Sequence, residues 1–157
     1  MASARKVELD CEGSFGEAAA RTVKVRAEEV FKHADGVLDL SRVERVHDMR
    51  VATRRLRAAL EIFEPCFPHK RHRKALKRVK VLADALGERR DLDVEIELLE
   101  GLTGEVAEAE RAGLDDLIAE LRLRQREANE SLVPFVVGKR LKKLRRRLAK
   151  LVKAARR

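Results

Sequence analysis

Val43-Glu44-Arg45-Val46-His47-Asp48-Met49-Arg50-Val51-Ala52-Thr53-Arg54-Arg55-Leu56-Arg57-Ala58-Ala59-Leu60-Glu61-Ile62-Phe63 sorts into two faces when wound as an α-helix. Met49, Ala52, Leu56, Ala59, Leu60 and Phe63 share one arc, the pattern of a helix laid against a core. His47, Arg50, Arg54 and Arg57 fall on the opposite side at spacings of three, four and three. Like charges stacked so repel by a few tenths of a kcal/mol per pair, so helix stability does not ask for them. A polyanion bound along the ridge would relieve that repulsion.

The flanking chain repeats the helical theme. Ser14 and Glu17 have capping-box spacing, which predicts a helix over 15–35 ending at Gly36. Ser41 and Glu44 repeat the device before a helix over 42–64 that stops at Pro65. A third helix is predicted over 69–86, ending at Gly87. Asp91 then reads as the N-cap of a short helix broken by Gly101 and Gly104. A long helix follows over about 105–132, with a weak point at Gly113. Pro134 interrupts, and a last helix runs over about 135–153 on Leu141, Leu144, Leu148 and Leu151. No strand alternation survives, so the fold class is all-α: an antiparallel helical bundle of four long helices plus short ones. Residues 1–13 read as a flexible N-terminal segment and 14–157 as the bundle with its basic C-terminal helix.

Composition agrees and narrows the function. Of 157 residues, 36 are Lys or Arg and 27 Asp or Glu, a net charge of +9, and no Trp or Tyr is present. The charge is unevenly placed: residues 41–80 hold 13 basic against 4 acidic, 81–137 hold 6 against 15, and 138–157 hold 11 against none. Two basic blocks around an acidic one suggest an anion-binding surface. The third helix carries its own ridge, Lys70, Arg73, Lys77 and Lys80, and the last helix sets Lys139, Lys143, Arg146, Lys150 and Lys153 opposite its leucines. Modules that stack bases on aromatics are disfavoured by five Phe in the whole chain. No apolar run reaches the ~20 residues of a membrane span, so no integral membrane association is expected. The charged N-terminus lacks a secretory h-region, and Cys11 and Cys66 read as reduced thiols, which together point to the cytoplasm. His69 and His72 have a spacing compatible with metal ligation, but the favoured reading is a buried, hydrogen-bonded His72 and an exposed His69, with no metal and no cofactor.

Two stretches carry a resemblance. Val46 to Leu60, quoted above, resembles the opening motif of the CHAD family, the conserved-histidine α-helical domain. Leu82-Ala83-Asp84-Ala85-Leu86-Gly87-Glu88-Arg89-Arg90-Asp91-Leu92-Asp93-Val94 is similar to that family's second motif, a leucine-glycine pair before Arg-Asp-x-Asp-Val. The resemblance implies non-catalytic binding of inorganic polyphosphate, a possible polyphosphate-metabolising partner protein and a place at polyphosphate granules. By match it carries over His47, Arg50, Arg54, Arg55 and Arg57 from the first motif, and Arg90 and Asp91 from the second. Arg73, Lys77, Lys80, Lys143 and Arg146 join the candidate polyphosphate site through the ridges. The usual family domain is about twice this length, with two pseudo-symmetric halves, and only one His-x-x-Arg motif occurs here. The chain therefore reads as a half-domain, and a homodimer is expected to supply the other half. A nonspecific nucleic-acid-binding protein using the same basic surface is the alternative. An enzyme on phosphoanhydrides is not expected without a Walker loop or carboxylates among the ridges.

Overall fold

Ser14 opens the first helix as its spacing requires: its Oγ accepts the Glu17 N–H at 3.2 Å, and the Glu17 carboxylate accepts the Ser14 N–H at 3.0 Å. The computed structural model describes residues 3–10 and 12–155, and all regular structure among them is helical. The elements are α1 (Phe15–His33), α2 (Val43–Ile62), a 3-10 turn (Glu64–Cys66), α3 (His69–Leu102), α4 (Glu108–Val136) and α5 (Lys139–Lys153). The all-α bundle expected from the sequence is thus what forms. α1 packs on α2, α2 on α3, and α5 closes the layer by packing against both α1 and α3. Their apolar stripes meet in one core that includes Val23, Val30, Met49, Leu56, Leu60, Val79, Leu86, Leu144 and Leu148.

Several boundaries differ from the sequence expectation, each for a physical reason. Gly87 does not end α3. Its φ is not positive, and the helix runs on for 34 residues, about 51 Å at 1.5 Å per residue. A mid-helix glycine costs only about 1 kcal/mol, which the buried face continuing through Leu92 and Ile96 outweighs. Asp91 is therefore an exposed interior residue rather than an N-cap, and Gly101 also lies inside the helix. Pro134 sits inside α4, which persists to Val136 because Leu132 and Val136 are both buried; the break falls at Gly138, whose φ of 77° suits only glycine. Consequently α5 begins at Lys139, not near 135. Ser41 does not cap α2 either: its hydroxyl donates to Asp39 Oδ1 at 2.6 Å, and the N-cap residue is Arg42. Residues 5–8 are tied to α1, with Arg5 N–H donating to Glu29 Oε1 at 2.6 Å and Arg21 donating to the Glu8 carbonyl at 2.7 Å. Cys66 is buried with a free thiol, its pKa pushed up by burial, whereas Cys11 lies outside the described residues.

Because α3 outlasts its neighbours, its C-terminal half leaves the bundle and pairs with α4 as an acidic helical hairpin. Leu92, Ile96 and Leu121 form a small second core there, backed by Leu99 and Ala128. At its root Arg89 is fully buried and donates to Asp93 one turn on, while Gln125 Nε2 donates to the same Asp93 oxygen at 2.6 Å. Desolvation, with help from the neighbouring Arg90 charge, lowers the Arg89 pKa to about 10, so it remains cationic at neutral pH. Asn129 ties α4 back to the body through the Leu38 carbonyl at 2.9 Å.

Asp93→Ala strands a buried guanidinium and is expected to cost about 3–5 kcal/mol in denaturant unfolding. Gly113→Ala, in the second turn of α4 with nothing within 4 Å of the added Cβ, is expected to stabilise by about 1 kcal/mol, raising Tm by about 2–4 °C in a calorimetric scan.

Candidate anion-binding groove

The antiparallel run of α5 along α3 sets two basic stripes against each other. α5 contributes Lys139, Lys143, Arg146, Arg147, Lys150 and Lys153, held outward because Leu144, Leu148 and Leu151 are committed to the core. α3 contributes Arg71, Lys74, Lys77 and Arg78 from the flank beside its own core residues Ala75, Val79 and Leu82. Together these cations line a groove in two connected sections of about 690 and 750 Å³, which share Lys74, Lys143 and Arg147. Arg140 completes it, its guanidinium 5.3 Å above the Phe135 ring. No carboxylate lines either section, and none of these cations forms an ion pair among the described residues. The field between two walls of one sign is concentrated rather than cancelled.

The sequence-predicted site residues do not converge on one place. Lys77, Lys143 and Arg146 line the groove. His47, Arg50 and Arg54 lie along α2, the first two half-buried and Arg54 exposed, and they line none of the groove. Arg57 and Lys80 meet, but at a carboxylate: Glu61 takes Arg57 Nε at 3.0 Å and Lys80 Nζ at 3.3 Å. The Arg57 hydrogen bond holds the Glu61 carboxyl below the usual glutamate range, so this bridge persists above ordinary glutamate titration and is lost only as pH falls through the lowered value. The ridges of α2 and α3 are therefore partly neutralised where they adjoin. Arg55 lies on the side of α2 toward α1, where its charge acts on buried Glu29 beside Arg26. Arg73 is exposed on α3, and Arg90 is half-buried beside Arg89, next to the exposed Asp91.

Reading the sequence alone missed Arg71, Lys74 and Arg78. They too repeat at three and four, one position around α3 from the ridge that was identified, and only the docking of α5 selects their stripe. It also missed Arg89 and Asp93, which look like two more charges in a charged helix until burial is known.

The burial of His72 and the exposure of His69 are as the sequence leads one to expect. His72 is buried, its Nε2–H donates to the Leu60 carbonyl at 2.7 Å, and its ring stacks parallel to Phe67 at 6.2 Å. Leu60 lies in the last turn of α2, where carbonyls lack helical partners, so His72 serves as a cap from the next helix. Exposed His69 and the buried His72 flank Glu64 at 3.7 and 3.9 Å. Among the described residues no group of three His, Cys, Asp or Glu side chains is placed to hold a metal. No helix of the described chain is long and apolar enough to cross a membrane.

The geometry defines an all-helical domain with a carboxylate-free cationic groove between two of its helices. The family profile of the CHAD domain matches residues 22–157, nearly the whole chain, and the protein belongs to that family. No curated protein matches the chain.

His72→Phe keeps the ring packing on Phe67 but orphans the Leu60 carbonyl; urea unfolding should show a loss of about 1–3 kcal/mol, with helicity by circular dichroism retained.

Proposed function

We infer that the protein binds inorganic polyphosphate, without catalysis, in the groove between α3 and α5. The observation that carries this reading is the groove's composition: cations on both walls and no carboxylate along it. A linear phosphate chain offers dense charge and no bases. Arginine forks and lysine ammoniums on rigid helices suffice to hold it, and stacking aromatics are unnecessary. Family membership supports the same ligand class. Lys77, Lys143 and Arg146 belong to the primary contact set together with Lys74 and Arg147. His47, Arg50, Arg54 and Arg55, with Arg73 and Arg90, are peripheral in this assignment, and Arg57 and Lys80 are restrained by Glu61.

The test compares two triple variants at fixed salt. Lys74→Ala, Lys143→Ala and Arg147→Ala together remove the residues common to both groove sections. At roughly 1.5–3 kcal/mol per hydrogen bond to a charged group, polyphosphate affinity should fall by at least a hundredfold in fluorescence anisotropy. Arg50→Ala, Arg54→Ala and Arg57→Ala should cost about tenfold or less. The reverse order would move the site to α2. Parent affinity should drop steeply with added salt through counterion release, and duplex DNA at matched salt should compete poorly. Equal competition by DNA would favour the nucleic-acid reading.

A further inference from the structure

The helical hairpin and the α1–α5 face of the body are each left uncovered, and they are complementary. On α3, Gly87, Val94 and Gly101 recur every seven residues, with Asp91 and Leu98 interleaved, and Val94 and Leu98 mark a seam that α4 does not cover. Val94 is 46% exposed and Leu98 64% exposed, and a Cβ built on Gly87 or Gly101 meets nothing within 4 Å. Nothing within the chain asks for glycine at either position. Each is destabilising in a helix, and each leaves that side flat enough for another helix to approach. The hairpin is also strongly acidic: residues 91–128 hold 12 carboxylates against 4 basic groups.

On the body, α1 and α5 enclose a groove of about 510 Å³ with the opposite character. Its floor is apolar, from Phe31, Leu148, Ala149 and Val152, and its rim is Lys24, Arg145 and Lys153. Arg145 lies 4.7 Å over the Phe31 ring. Glu28, the one carboxylate at this groove, is paired to Arg5 at 3.0 Å, which leaves the rim cationic.

We propose that the hairpin seam of one copy docks in the α1–α5 groove of a second copy, reciprocally, forming a two-fold dimer. Val94 and Leu98 cover the apolar floor while Asp91 and Glu95 meet the cationic rim of Lys24, Arg145 and Lys153. α3 overhangs the body by about 20 Å beyond Arg89, at 1.5 Å per residue, so the seam projects where a neighbour is reached without opening the bundle. Two hairpins packed on each other would oppose acid to acid, a costly juxtaposition; hairpin on groove opposes acid to base. Both surfaces lie on one chain, so closure into a two-fold dimer satisfies both at once.

Assembly is measured on the full chain without polyphosphate, so its outcome is separate from that of the ligand assignment. Analytical ultracentrifugation should give twice the 17.9 kDa chain mass, with the dimer weakening as salt rises. Val94→Asp with Leu98→Asp, and separately Ala149→Glu, should each raise the dimer Kd by at least tenfold; all three positions are exposed, and circular dichroism checks that the helices persist. Mixing the two variants should restore association that neither shows alone, because the mixed pair keeps one intact hairpin and one intact groove. A monomeric parent at high micromolar concentration overturns the proposal. So does a dimer that strengthens with salt, or a mixture that stays monomeric, either of which indicates hairpin-on-hairpin contact.

Discussion

Burying Arg89 is the constraint around which the rest of the molecule is arranged. A guanidinium with no exposed surface has to meet a carboxylate, and Asp93, one turn along the same helix, supplies it. That pairing requires α3 to be helical through residues 89–93, which joins the bundle half of α3 to the hairpin half as one rod. Gln125 bonds the same carboxylate and so sets the register of α4 on α3. With that register set, Leu132 and Val136 bring the chain back into the main core, and the Gly138 turn then starts α5 along the flank of α3. The position of the cationic groove follows from that sequence of placements.

The groove also shows how one helix can serve two needs. Leu144, Leu148 and Leu151 of α5 are spent on the core, while most of its remaining positions are Lys or Arg. Such a helix gains its stability from burial rather than from side-chain pairing, since its like charges repel. The cations of α2, α3 and α5 therefore differ in availability more than in number. Those near Glu61 and Glu29 are engaged with carboxylates, and those facing α5 are not.

Much of the architecture was legible in the sequence. The stripes of α2 and α5, the capping box at Ser14 and the turn after Ile62 follow from local periodicity and local chemistry. The errors cluster where a local signal was overridden by packing. Gly87, Gly101 and Pro134 are strong punctuation in isolation, yet neighbouring positions such as Leu86, Leu92 and Leu132 are buried by other helices. Half of the site was visible for a similar reason. Three-four spacing reveals that a stripe of cations exists, but which of two adjacent stripes on α3 becomes a groove wall depends on a neighbour nearly 70 residues away. Buried polar residues were invisible because Arg89 and Asp93 are indistinguishable in sequence from solvated charges.

The repetition of cations along both walls of the groove has a further consequence for a polymeric ligand. Cations recur in both sections of the groove, so a linear polyanion longer than the groove would have more than one register open to it. Each doubling of the number of registers adds RT ln 2, about 0.4 kcal/mol, to binding per polymer molecule. Such a surface measures length statistically rather than recognising an end. A chain bound there would be able to shift by one repeat while most of its contacts re-form, held firmly across the groove and loosely along it.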